Sequence, residues 1–86
     1  MRESCLDCVR KHIAQALILL TESKLGHPEH KWLAVGHLAE AEAESVADYE
    51  VLAKSIRNER LKIIDDKKFN LLILIEQATI LSKEKK

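Results

Sequence analysis

Eighty-six residues make one domain, and a chain this short leaves much of its surface wet unless a metal, a disulfide or a second subunit adds to the core. With 47% hydrophobic and 33% charged residues, two glycines and one proline, it is too apolar for disorder and too poor in turn formers for a many-stranded sheet. Fourteen basic residues balance fourteen acidic ones, so no overall field points to nucleic acid or an anionic membrane as partner.

An all-α domain over residues 1–86 is therefore expected: an antiparallel helical hairpin plus a third helix, spanning about 4–24, 29–64 and 67–82. Ser4 with Asp7 three residues later reads as a capping box, placing Cys5 in the first turn and Cys8 one turn on. Leu6, Val9, Ile13, Ala16, Leu17 and Leu20 recur at helical spacing. Gly26 suits a left-handed C-cap and Pro28 cannot continue the ladder, so the first helix ends near Lys24. A short loop then implies an antiparallel neighbour.

From Glu29 the pattern runs helical to about Ile64, with Trp32, Val35, Ala39, Val46, Tyr49, Ala53, Ile56 and Ile63 on one heptad-like stripe. Its first half is acidic and its second basic, which suits the helix dipole. Asp65-Asp66 read as an interruption and N-cap for the third helix. Leu71 to Ile75 are apolar on every face, so that helix needs burial on more than one side, and a homo-oligomer through it is expected. The charges at Asp7, Arg10 and Lys11 argue against a signal peptide, and no run reaches the roughly 20 apolar residues that span a bilayer. A cytoplasmic protein is expected, where a close cysteine pair serves as a metal or redox site rather than a structural disulfide.

Cys5, Cys8 and His12 form C-x2-C-x3-H, and helical offsets of three and four put all three on one stripe beside the apolar face. Folding the second helix back about Gly26-His27 brings His12 to the neighbourhood of Ala41 and Cys8 to that of Ser45. His37, Glu40 and Glu44 occupy that level on one stripe. Two thiolates and one imidazole, joined by His37, Glu40 or Glu44, would make a tetrahedral zinc site. His27 and His30 read as loop or capping residues, Trp32 and Tyr49 as core or interface, and Gly36 as a close helix–helix contact.

The same atoms allow thiol redox chemistry, because a helix N-terminus favours the thiolate and makes Cys5 the better nucleophile. The segment Cys5-Leu6-Asp7-Cys8-Val9-Arg10-Lys11-His12 resembles the redox motif of the alkylhydroperoxidase D-like (carboxymuconolactone decarboxylase) family, all-helical oligomers whose C-x2-C-x3-H opens a helix. That resemblance, confined to this segment, implies peroxide reduction or thiol exchange with Cys5 and Cys8 as redox pair and His12 in the proton relay. The family's glutamate upstream of the first cysteine has no counterpart here, and Glu40 or Glu44 would have to replace it in space.

No glycine-rich phosphate loop, H-E-x-x-H, G-x-S-x-G or di-iron E-x-x-H repeat occurs. The residues thus favour a binding or structural module with a zinc-like ion over an enzyme. The alternatives are a thiol redox protein and a metal-free module that presents its long and apolar helices to a protein partner.

Overall fold

A computed structural model describes residues 5–84, in which four helices follow one another: α1 (Leu6–Lys24), α2 (His30–Ser45), α3 (Glu50–Ile64) and α4 (Leu71–Glu84). Among the described residues no strand occurs, and no helix is long and apolar enough to cross a membrane.

The α1 core positions are Leu6, Val9, Ile13, Ala16 and Leu20, spaced alternately by three and four residues, and all are buried. Cys5 is the N-cap, with its sulfur accepting the Cys8 amide at 3.2 Å. The expected cap residue Ser4 lies outside the described residues. At the other end Gly26 N–H donates to Ser23 O and His27 N–H to Glu22 O, each at 3.3 Å, with Gly26 at φ +116°. This is the Schellman closure that a glycine in the left-handed region makes possible. It turns the chain so that α2 packs along α1 through Ala34, Leu38 and Ala41.

The single helix expected over 29–64 is two. A straight rod of that span would be about 54 Å long, beyond the 41 Å long axis of the protein. Its second half would leave Leu52 and Ile56 wet, forfeiting about 1.5–3 kcal/mol for each. Instead the chain turns at Val46–Asp48 and re-enters a helix after Tyr49, whose backbone leaves the helical region at φ −134°, ψ 63°. The backbone stays bonded across the break, with Tyr49 N–H on Ser45 O at 2.7 Å and Ala53 N–H on Tyr49 O at 2.9 Å. Ser45, fully buried, turns its hydroxyl back to Ala41 O at 2.8 Å, a bond that bends helix ends. The end of α3 thereby returns to the start of α2, where Lys31 pairs with Asp66 at 2.8 Å. Midway, Arg60 pairs with Glu42 at 2.6 Å, both half-buried.

The buried α2 stripe is therefore Ala34, Leu38, Ala41 and Ser45 rather than a heptad carried through the break. Trp32 and Val46 are 60% and 56% exposed, and Lys31 Nζ lies 5.1 Å from the Trp32 ring centroid. Nor is Gly36 a close contact, because a Cβ built there would meet nothing within 4 Å.

The last helix also starts later than expected. Asp65 caps the C-terminus of α3, and Asp66 adopts the left-handed conformation at φ 57°. Asn70 takes the N-cap role: its side-chain oxygen accepts Ile73 N–H at 3.3 Å, while its own N–H donates to Glu59 at 2.8 Å. Leu71, Leu74 and Ala78 bury against α1 and α3. The all-round apolar run is not covered on every side, since Leu72 and Ile73 are 64% and 45% exposed.

Candidate metal centre

The α1–α2 seam brings the expected donors face to face within a turn of the anticipated register. His12 Nδ1 lies 3.0 Å from His37 Nδ1, with ring centroids 5.2 Å apart. On the other edge of the same ring, His12 Nε2 lies 3.2 Å from Glu40 Oε2. Both imidazoles are half-buried and Glu40 is exposed, so the cluster sits at the lip of the seam. Two helices impose this arrangement: His37 and Glu40 share a stripe of α2 by their offset of three, and the chain neighbours of the two histidines, Ile13 and Leu38, are both buried in the common core cluster.

The chemistry follows from the edges used. Two Nδ1 atoms at 3.0 Å cannot both donate, so at least one lone pair points into the gap. A neutral His12 donating from Nε2 to Glu40 keeps Nδ1 as that lone pair, the tautomer control that carboxylates exert on metal-binding histidines. Nitrogen ligands at about 2.0–2.1 Å from one tetrahedral ion stand about 3.4 Å apart, a small adjustment from the observed separation.

The six expected site residues divide into two neighbouring groups. His12, His37 and Glu40 offer ligand atoms all within 4.8 Å of one another. Cys5 and Cys8 do not join them at that spacing, and both thiols are free and half-buried. Glu44 serves the cysteine end, accepting Cys5 N–H at 3.0 Å.

The two thiols differ electrostatically. The Cys5 thiol is lowered, chiefly by the hydrogen bond from the Cys8 side chain and next by the Cys8 amide, against opposition from burial, Asp7 and Glu44. Cys8 is raised, first by giving that hydrogen bond to Cys5 and then by burial and the neighbouring negative charges. Cys5 therefore ionises ahead of Cys8 as pH rises.

A second donor group lies where only loop and capping histidines were expected: His27, Glu29 and His30 also hold ligand atoms within 4.8 Å of one another. The signal was in the string Gly26-His27-Pro28-Glu29-His30, where a tight turn superposes residues three apart.

Comparison of the chain with protein-family models, curated proteins and solved structures gives no match.

Proposed function

We propose that this chain is a small helical binding module that holds a zinc-like divalent ion at the α1–α2 seam. His12 and His37 are its nitrogen ligands, and Glu40 either orients His12 or completes the set. The observation that carries this reading is the pair of Nδ1 atoms 3.0 Å apart with a carboxylate on the opposite edge of one ring. Imidazole and carboxylate donors suit zinc and its neighbours rather than magnesium or calcium. Open positions would be filled by water or by a thiolate from the adjoining cysteine turn.

Metal analysis of the freshly purified chain, set beside H12Q and H37Q variants, tests this. Bound zinc in the parent and a marked loss in either variant is expected. Equal metal in all three removes the proposal.

A second reading rests on the asymmetry of the thiols. Cys5, the helix N-cap and the more readily ionised of the two thiols, would attack a disulfide or peroxide acceptor in its thiolate form. Cys8 would then close the intramolecular disulfide, so that the pair gives up two electrons and two protons; a peroxide would leave as alcohol and water. The C-x2-C-x3-H resemblance points the same way. Peroxide or disulfide consumption that disappears in C5S would favour this reading.

The subunit arrangement belongs to the same proposal. Leu72, Ile73 and Ile80 leave apolar surface on α4, and a second copy docking there would complete the burial that an all-round apolar helix needs. Light scattering of L72E/I73E against the parent reads this directly: a dimer that falls to monomer supports it, and a monomeric parent excludes it.

A further inference from the structure

We propose that the α1–α2 turn carries a second site for a borderline divalent transition-metal ion, held by His27 and His30 with carboxylate oxygens of Glu29 and Glu22. This site shares no residue with the seam centre and does not depend on it.

Three features of the turn build it. The Schellman closure ties His27 N–H to Glu22 O at 3.3 Å, so the residue after the glycine and the residue three before the cap are held together. Those two positions ordinarily carry an apolar contact; here they carry an imidazole and a carboxylate. Next, the chain enters α2 through three-residue hydrogen bonds: His30 N–H to His27 O at 3.0 Å, then Lys31 to Pro28 and Trp32 to Glu29, each at 3.2 Å. Such bonds eclipse side chains three apart. The His27 and His30 rings accordingly stack at 5.0 Å with planes 15° apart, and Pro28 stiffens the connection between them.

The third feature is an unmet need. His30 Nδ1 has almost no solvent access and no hydrogen-bond partner. Its nearest carboxylate oxygen, Glu22 Oε2, stands at 3.9 Å, and His27 Nδ1 stands 3.6 Å from Glu29 Oε1. Both separations exceed the 2.7–3.2 Å of a hydrogen bond. They lie close to the roughly 3.4 Å expected between two ligands of one ion with bonds of about 2.1 Å. Two imidazoles with two carboxylates select zinc, cobalt, nickel or copper over the hard cations.

The test uses the full chain stripped of metal by a chelator, titrated with Zn2+ by calorimetry and followed through the histidine ring proton and carbon signals. Two binding events are expected, with the His27 and His30 rings shifting in one of them. H27Q/H30Q should reduce the stoichiometry from two to one while leaving the His12 and His37 shifts in place. H12Q/H37Q should leave the His27 and His30 shifts intact, and E22Q should weaken the turn site by about 10-fold. A single event abolished by H27Q/H30Q upholds this site and removes the seam reading instead. The inference is overturned by His27 and His30 signals that stay still, by full stoichiometry in H27Q/H30Q, or by equal shifts with excess Mg2+.

Discussion

Replacing Gly36 by alanine should stabilise the protein. Gly36 lies on an exposed face of α2, seven residues into the helix, and a Cβ there meets no atom within 4 Å. Glycine in such a place costs about 0.8–1.0 kcal/mol relative to alanine, chiefly through the freedom its backbone regains on unfolding. With no clash to subtract, the expected gain is about 0.5–1 kcal/mol. For a domain of this size each kcal/mol moves the midpoint by roughly 4–8 °C, so Gly36→Ala should raise Tm by about 2–8 °C. Urea and thermal unfolding followed by circular dichroism would read it, with an unchanged m-value showing that the unfolded state has not been altered in compactness. Zinc binding should also be unchanged, since the substitution leaves His37 in register. A loss of stability would mean that something packs against Gly36 in solution, and the reasoning from open space would fail.

Leu38→Ala, at a fully buried position of α2, should cost about 2–5 kcal/mol in urea unfolding; a cost under 1 kcal/mol would contradict the core assigned here. Asn70→Ala should cost about 1 kcal/mol through loss of the cap on Ile73 N–H, and no change would return the cap to another residue. The thiols supply a pH test. Because Cys5 is lowered mainly by the Cys8 side chain, its alkylation should begin at lower pH than that of Cys8, and Cys8→Ala should move the Cys5 profile to higher pH. Identical profiles for the two cysteines would remove the asymmetry on which the redox reading stands.

Much of this architecture is legible in the residues. The spacing of Leu6, Val9, Ile13, Ala16 and Leu20 and the Gly26-Pro28 punctuation mark the first helix and its reversal, and with them a register that sets His12 opposite His37 and Glu40. The break between α2 and α3 is not legible, because Val46 to Tyr49 include neither glycine nor proline. Tertiary burial of Leu52 and Ile56 decides it, while the backbone bonds through Ser45 and Tyr49 keep its cost low. Extending one stripe across that break also made Trp32 a core or interface residue; the single chain leaves it 60% exposed, so it is not part of the core. The turn donors His27, Glu29 and His30 escaped because their convergence arises from eclipsed three-residue turns rather than from the α-helical period.

Cobalt substitution tests the seam most directly. In an H27Q/H30Q background, Co2+ added to the stripped chain should develop the strong visible bands of a tetrahedral or five-coordinate ion at one equivalent. Those bands should vanish when His12 and His37 are also replaced. Visible absorption no stronger than that of the hydrated ion, or bands that survive the loss of both histidines, would contradict a metal centre between α1 and α2.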